Sequence, residues 1–220
     1  MSCEKRKDKP FLGTREILED KSRGCYRFRT YGQVLELTTK VGSGIVNLDL
    51  APVTDSVNNS NLRLVGVYAK NREEWVELDL ACILYGFTLV PIYDTLGHNS
   101  VEYVFNHTKM ETCFCSCNYL ENLLKSKSEK KFPHLKSLVS FDEVTEKDLE
   151  TAKQVGINLY SWSQLISKGE NKRDYTRVTK DNIYTFAYTS GTTGDPKAAM
   201  ISHGNIVATV AAIDEIEDFA

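Results

Sequence analysis

The chemistry-bearing part of the sequence is a run of hydroxyl, glycine and lysine residues between the apolar segments 183–188 and 198–201. Its hydroxyls can donate hydrogen bonds to phosphate oxygens, and its glycines let backbone N–H groups approach an anion closely. Lys197 adds a full positive charge, and Pro196 stiffens the return into the next segment. Such a set suits a polyphosphate group that is bound and then released.

Two other interpretations of this run are a Walker A loop and an ordinary hairpin loop. A Walker A loop requires the pattern G-x-x-x-x-G-K-[ST], but the residue five positions after Gly191 is Pro196, so P-loop chemistry is not supported. An ordinary hairpin loop rich in glycine and threonine fits the composition equally well. Composition alone therefore leaves the polyphosphate site and the plain loop open.

The second group of reactive side chains is a C-x-C-x-C run of three cysteines, Cys113, Cys115 and Cys117. No C-x-x-C pattern or histidine pair stands near it, so a metal site is not predicted. Alternation with a period of two places all three thiols on one face of a strand, as small buried residues of a core. No side chain is predicted to act as a general base or nucleophile, and His203 is interpreted as part of a helix start.

Bulk properties exclude some partners. The net charge of -3 gives no general attraction to nucleic acid, so no nucleic-acid partner is predicted. No segment reaches the roughly 18 apolar residues that a membrane-spanning helix needs, although peripheral membrane contact stays open. The first ten residues are charged and lack a secretory signal, which predicts an intracellular, reducing location with free thiols.

Apolar runs alternate with segments of helical pattern along the chain. This alternation predicts an α/β fold with a mostly parallel sheet flanked by helices, in which 64–68, 88–92 and 112–116 are neighbouring strands. Residues 1–24 are expected to form a surface arm and 51–61 a loop. Further predicted strands are 138–141 and 157–160. The predicted helices are 31–50, 71–85 with Asn71 as its cap, 100–107, 143–155 and one that opens at 202–205. The lysine-rich segment 125–131 is interpreted as a solvated helix end and loop rather than a binding patch.

The order of residues in the loop carries a resemblance to a known family. Residues 188–197, YTSGTTGDPK, resemble the signature loop of the adenylate-forming superfamily, which includes acyl-CoA synthetases, luciferases and peptide-synthetase adenylation domains. Residues 91–97, PIYDTLG, resemble a stretch of the long-chain acyl-CoA synthetases, as do segments 66–75 and 156–162. The resemblance extends from about residue 10 to the end of the chain.

This resemblance implies a fold, a reaction and a set of ligands. The fold is the N-terminal part of the large adenylate-forming domain, with 1–24 as an arm and 25–220 as a partial AMP-binding domain. In the reaction a long-chain fatty acid attacks the α-phosphate of ATP, acyl-AMP and pyrophosphate form, and CoA then displaces AMP. ATP, Mg²⁺, CoA and the fatty acid are the implied ligands, and the implied location is the cytoplasm or the cytosolic face of the endoplasmic reticulum or peroxisome. The implied ATP-phosphate-binding residues are Tyr188, Thr189, Ser190, Gly191, Thr192, Thr193, Gly194, Asp195, Pro196 and Lys197.

The sequence departs from the family pattern in two places. Ala198 stands where the family usually has glycine, which would be strained if that position needs a positive φ. The chain ends at Ala220, before the segments that in the family carry the magnesium-binding glutamate, the ribose-binding aspartate and the catalytic lysine. The 220-residue chain alone is therefore predicted to be inactive. Two alternatives are a truncated product without an enzymatic role, and a medium-chain or aromatic acid substrate, against which segment 94–97 argues.

Overall fold

Short apolar runs form the strands of this protein, and the segments between them form helices. A computed structural model describes residues 5–57, 60–93, 100–189 and 195–217. The strands are β1 (Pro10–Ile17), β2 (Arg23–Thr30), β3 (Asp55–Val57), β4 (Ser60–Leu62), β5 (Leu64–Tyr68), β6 (Thr88–Pro91), β7 (Thr112–Cys115), β8 (Ser137–Ser140), β9 (Asn158–Ser161), β10 (Ile183–Thr189) and β11 (Lys197–Ser202). The helices are α1 (Tyr31–Asn47), α2 (Glu73–Tyr85), α3 (Ser100–Thr108), α4 (Cys117–Ser128), α5 (Glu146–Gln154), α6 (Trp162–Lys168) and α7 (His203–Glu217).

Seven of these strands form one sheet in the order β11-β10-β6-β5-β7-β8-β9. All neighbours are parallel except β11, which is antiparallel to β10. Leu89 pairs with Val65, and Phe114 pairs with Val67, so β6, β5 and β7 lie side by side. The predicted α/β fold and the predicted neighbouring parallel strands are confirmed.

Helices cover both faces of the sheet because its strands are apolar on both sides. Helices α1, α2 and α6 pack on one face, where Ile45, Leu78 and Leu165 contact the face that carries Phe114. Helices α3, α4 and α5 pack on the other face, where Leu123 is part of the same cluster as the buried strand residues. Each large side chain buried in this way stabilises the fold by about 1.5–3 kcal/mol relative to exposure.

The ends of helix α2 show how local sequence sets its limits. The N-cap residue is Arg72, which makes no side-chain cap hydrogen bond, so the prediction of Asn71 as the cap was wrong. Glu73 and Glu74 occupy the first turn, where the helix dipole favours negative charge. Gly86 ends the helix at φ 65°, a conformation that glycine adopts without a steric cost, and this predicted stop is confirmed.

Two pairs of antiparallel strands lie in the segments that the sequence predicts to be a surface arm and a loop. Strands β1 and β2 form an antiparallel pair that packs on α2 through a hydrogen bond of 2.8 Å from the Thr14 hydroxyl to Glu73. Strand β2 includes residue 24. The division into an arm, 1–24, and a domain, 25–220, stays a prediction. Strands β3 and β4 also pair, so the prediction of a simple loop over 51–61 was wrong.

The cysteine run does not lie on one strand. Strand β7 ends at Cys115, Ser116 occupies the N-cap position of α4 without a side-chain cap hydrogen bond, and Cys117 is the first residue of that helix. Cys113 and Cys115 are buried as predicted, but Cys117 is exposed, so its predicted place on the same face was wrong. The predicted solvated helix end at 125–131 is confirmed by the last turn of α4.

The described residues contain neither a metal-ion cluster nor a membrane-spanning helix. No group of three or more His, Cys, Asp or Glu side chains there is placed to hold a metal ion. Within the same ranges, no helix combines the length and the apolar character required to cross a bilayer.

Candidate phosphate-binding site

The predicted phosphate loop connects the two antiparallel strands β10 and β11. Thr189 pairs with Lys197, and Tyr188 pairs with Ala198, so the loop starts and ends between directly opposed residues. Of the ten predicted site residues, the structure describes Tyr188, Thr189, Asp195, Pro196 and Lys197. The other five, Ser190, Gly191, Thr192, Thr193 and Gly194, lie outside the described residues.

The loop leaves the sheet at the carboxyl edge of the parallel strands. Strand β10 runs parallel to β6, and the loop follows the carboxyl end of β10. Ligands of open α/β sheets bind at this edge. Thr189, Asp195 and Lys197 are exposed there, and the Lys197 ammonium makes no ion pair with any described carboxylate. Its charge is therefore available to an anionic ligand.

The base of the loop is anchored by Tyr188, whose side chain points into the core. Only 5% of Tyr188 is exposed, and its hydroxyl lies 2.7 Å from Nδ1 of His107. Burial raises the pKa of Tyr188, and the neighbouring Tyr103 adds to this effect, so the hydroxyl stays neutral. Sequence reasoning did not identify His107, which lies 81 positions away from Tyr188.

Ala198 lies in a regular strand. Among the described residues, the non-glycine residues with positive φ are Lys21, Asp49, Lys109 and Lys130, and Ala198 is not one of them. Its side chain packs against the core cluster that contains Tyr188. Alanine therefore causes no backbone strain at this position.

A network of charges ties together the carboxyl ends of the central strands. The Arg72 guanidinium donates to both carboxylate oxygens of Asp142, at 2.9 and 3.1 Å, and to Glu74 at 2.6 Å. Asp142 also accepts the backbone N–H of Cys117 at 2.8 Å, which satisfies the first turn of α4. Burial alone would raise the pKa of Asp142, but the hydrogen bonds from Arg72 and Cys117 lower it below its ordinary value.

An open pocket of about 590 Å³ lies at the same edge of the sheet. Helix α2 follows β5 and packs on one face of the sheet, while helix α4 follows β7 and packs on the other. The pocket lies where the chain leaves these two neighbouring strands toward opposite faces. Tyr68 and Tyr119 stack with their ring centroids 3.9 Å apart, and Trp75 and Tyr93 complete an aromatic lining. Such a lining suits a planar group, which aromatic side chains bind by stacking. Sequence reasoning did not predict this pocket.

His203 is built into the start of helix α7. Ser202 and Asn205 exchange hydrogen bonds between side chain and backbone, at 3.0 and 3.2 Å, and so cap the helix. The backbone N–H of His203 donates to Asn182 at 3.0 Å, and burial lowers the pKa of its ring. These contacts agree with its interpretation as part of a helix start.

A comparison with protein families decides where the chain belongs. The family described as "AMP-binding enzyme" matches residues 2–220, which is almost the entire chain. This chain belongs to the AMP-binding enzyme family. The resemblance found in the loop sequence is thereby confirmed.

Curated members of the family with similar sequences are long-chain acyl-CoA synthetases. Long chain acyl-CoA synthetase 4 of Arabidopsis thaliana is 35% identical over 214 residues, covering 97% of this chain and 30% of the relative. Fatty acyl-CoA synthetase B of Dictyostelium discoideum is 31% identical and covers 97% of this chain and 31% of the relative. The chain thus spans about three-tenths of the length of these relatives.

Solved structures of adenylation domains share the fold. The A-PCP didomain of carboxylic acid reductase from Segniliparus rugosus, in complex with AMP, has a TM-score of 0.69 and 19% identity, over 91% of this chain and 30% of that chain. A putative long-chain-fatty-acid CoA ligase from Rhodopseudomonas palustris has a TM-score of 0.65 and 17% identity, over 89% of this chain and 42% of that chain. These similarities establish the fold of the adenylate-forming domain for the part that the chain contains.

Proposed function

We propose that this chain forms the ATP-phosphate-binding part of an enzyme that converts a long-chain fatty acid to acyl-CoA through an acyl-AMP intermediate. The proposal is carried by the position of Lys197, which follows the loop between β10 and β11 at the carboxyl edge of the sheet in a member of the AMP-binding enzyme family and pairs with no described carboxylate. The complete reaction is part of the proposal because the chain spans about three-tenths of its relatives.

In this proposal the loop binds the β- and γ-phosphates of ATP. Thr189 and Lys197 are opposed across the hairpin, which supports a joint contact of a hydroxyl and an ammonium with one polyphosphate. The hydroxyls of Ser190, Thr192 and Thr193 and the backbone at Gly191 and Gly194 are assigned to the same group. As the fatty carboxylate attacks the α-phosphate, negative charge grows on the departing pyrophosphate, and these donors stabilise it.

Magnesium is the metal ion implied for this reaction, and it neutralises phosphate charge when it is bound with ATP. The described oxygen donors beside the loop are the exposed carboxylate of Asp195 and the exposed hydroxyl of Thr189. Hard oxygen ligands of this kind fit the ion, directly or through its water shell. We assign no further protein ligand to the metal ion within these 220 residues.

The names of the relatives support the choice of substrate and location. Several are called long chain acyl-CoA synthetases, which favours a long-chain acid over a medium-chain or aromatic one. Two from Arabidopsis thaliana carry the word peroxisomal in their names, which favours an intracellular location on or in an organelle. CoA and the fatty acid complete the proposed set of small-molecule partners.

Calorimetric titration of the 220-residue chain with ATP, tripolyphosphate and AMP tests the phosphate assignment. With magnesium present, ATP and tripolyphosphate should bind and AMP should bind at least tenfold more weakly, because AMP lacks the β- and γ-phosphates. Lys197→Ala should weaken ATP binding by about tenfold or more, since it removes a charge-assisted contact. The control is Lys136→Ala, which removes an exposed lysine that pairs with Glu111 beside the amino end of β8, away from the loop.

Equal affinity for ATP and AMP, or an unchanged affinity in Lys197→Ala, would contradict the assignment. A second assay measures acyl-CoA formation from ATP, palmitate and CoA. The 220-residue chain should show none, while a chain extended to the length of its relatives should require all three substrates. Turnover by the short chain would show that its own residues suffice for catalysis.

A further inference from the structure

A hydrogen bond joins the base of the phosphate loop to helix α3. His107 lies in the last turn of α3, and its Nδ1 is 2.7 Å from the hydroxyl of Tyr188. The rings of His107 and Tyr188 meet edge to face with their centroids 6.0 Å apart, and the ring of Tyr103 stacks on His107 with a centroid distance of 5.3 Å. Rings and hydrogen bond together restrict Tyr188 to one orientation.

The position of Tyr188 controls both ends of the loop. Tyr188 precedes Thr189 on β10 and pairs across the hairpin with Ala198, the residue that follows Lys197. A displacement of Tyr188 therefore moves the residue that begins the loop and the residue that ends it. A buried tyrosine hydroxyl that loses its partner costs free energy, so the contact with His107 opposes such a displacement.

We propose that His107 is a positioning residue for ATP binding: through Tyr188 it sets the placement of Thr189 and Lys197 toward the polyphosphate. The proposal deepens the function proposed above and rests on it, because the ligand of the loop is assigned there. In this role His107 acts on the phosphates only through its contact with Tyr188. Helix α3 follows β6 in the chain, and β6 is the parallel neighbour of β10. His107 therefore links the β6–α3 segment to the strand that begins the loop.

Strand β10 provides a matched control for this role. Tyr184 lies near the start of the same strand, and its hydroxyl donates to Asp79 of α2 at 2.6 Å. Tyr184→Phe and Tyr188→Phe therefore each remove one tyrosine hydroxyl and its hydrogen bond from β10, although Tyr184 is only partly buried. They differ in that Tyr188 is beside the loop and Tyr184 is remote from it.

The experiment compares tripolyphosphate binding to the 220-residue chain and its variants by calorimetry. Tyr188→Phe and His107→Leu should each raise the Kd by about 3- to 10-fold, the effect of losing one net hydrogen bond. His107→Asn can place an amide atom near the position of Nδ1 and should recover at least half of the loss. Tyr184→Phe should lower the Tm by a similar amount and change the Kd by less than about twofold.

Coupling between the two side chains is measured with the double variant. The double variant, Tyr188→Phe with His107→Leu, should have a Kd for tripolyphosphate no higher than that of the single variant with the higher Kd. Both changes remove the same interaction, so their effects should not add. Full additivity of the two effects would show that His107 does not act through Tyr188. Because Tyr188→Phe keeps the aromatic ring in the core, it remains informative even if His107→Leu fails to fold.

Hydrogen exchange at the amides of Thr189 and Ala198, without ligand, separates this inference from the proposed function. Exchange there should be faster in Tyr188→Phe than in Tyr184→Phe. If the unmodified chain bound no polyphosphate but kept this exchange pattern, the assigned ligand would be wrong and the positioning of the hairpin by His107 would stand. If the chain bound tripolyphosphate and the two Tyr→Phe variants were equal in Kd and in exchange, the positioning role would be overturned.

Discussion

Two cations at the carboxyl edge of the sheet have opposite environments. Arg72, at the central strands, donates to Asp142 and Glu74 and lies 5.3 Å from the ring centroid of Phe141. Lys197, on the edge strand β11, is exposed and has no described carboxylate as a partner. A charge whose hydrogen bonds are satisfied by its own protein stabilises the fold, whereas an unsatisfied charge can bind a ligand.

The largest expected effect is the loss of ligand binding at Lys197. In a chain extended to the length of its relatives, Lys197→Ala should lower kcat/KM for ATP by roughly 10- to 1000-fold, or about 1.4–4 kcal/mol. The free energy of unfolding should change by less than about 0.5 kcal/mol, because the removed side chain is exposed and has no ion pair among the described residues. Steady-state kinetics with each substrate varied in turn measures this effect. A variant with normal ATP parameters and a raised KM for the fatty acid would contradict the phosphate assignment.

Arg72 should show the reverse pattern. Arg72→Leu should lower the free energy of unfolding by roughly 1–3 kcal/mol, since it leaves the partly buried Asp142 and Glu74 without their cation. Affinity of the 220-residue chain for ATP should stay within about twofold. The control is Arg27→Leu, which breaks the exposed ion pair with Glu16 and should cost less than about 1 kcal/mol. Equal urea-unfolding midpoints for the two variants would show that the central network contributes no more than a surface pair.

A third ion pair sharpens the comparison through its pH dependence. Glu77 of α2 pairs closely with Arg29 of β2, but its second carboxylate oxygen accepts no hydrogen bond from the described residues. Burial raises the pKa of Glu77 to about 7, and Glu73 and Glu74 add to this rise against the opposing effect of Arg29. Because the folded-state pKa lies above the ordinary value of 4.5, the stabilising contribution is complete below that value and is lost as the pH rises through about 7.

The free energy of unfolding should therefore fall by roughly 1–3 kcal/mol between pH 5 and pH 8 because of Glu77. Urea unfolding across this range measures the slope, and Glu77→Gln should remove most of it. Asp142→Asn is the contrast: the pKa of Asp142 is lowered, so its contribution is present above its ordinary pKa and is lost only in acid. A slope between pH 5 and pH 8 that persisted in Glu77→Gln would assign it to another group.

The smallest expected effect is at Ala198. Because this residue lies in β11 without a positive φ, Ala198→Gly relieves no strain and should lower the free energy of unfolding by about 0.5–1 kcal/mol. Catalytic parameters for ATP should change by less than about twofold. Thermal unfolding and kinetics of the extended chain measure the two effects. Higher stability after the change would show that alanine is strained at this position.

The central sheet could be predicted because its strands are short, apolar and bounded by helix signals. The run 64–68 is a strand of five residues, and Gly86 ends the following helix as its type suggests. The strands β1 and β2 were not predicted, because many of their residues are polar or charged and the two strands form a separate sheet on the surface. Helix α6 has only seven residues, too few for a periodic pattern, although its Ser161–Gln164 capping box is visible in the sequence.

The site shows the same limit. The loop between β10 and β11 could be singled out because its glycines, hydroxyls and lysine are contiguous in the sequence, while its polyphosphate ligand stays a prediction. The contact of Tyr188 with His107 joins residues 81 positions apart, and no local pattern encodes it. The aromatic pocket likewise takes Tyr68, Tyr93 and Tyr119 from three segments that meet only in the folded sheet.

The pairing of β6 with β10 has a consequence for synthesis of the chain. Thr185 of β10 pairs with Leu89 of β6, and residues 92–182 separate the two strands. A ribosome adding ~5–20 residues per second needs about 5–18 s to make that intervening stretch. During this interval one edge of an apolar strand has no neighbour on the nascent polypeptide. This edge of β6 is covered only after β10 has been synthesised.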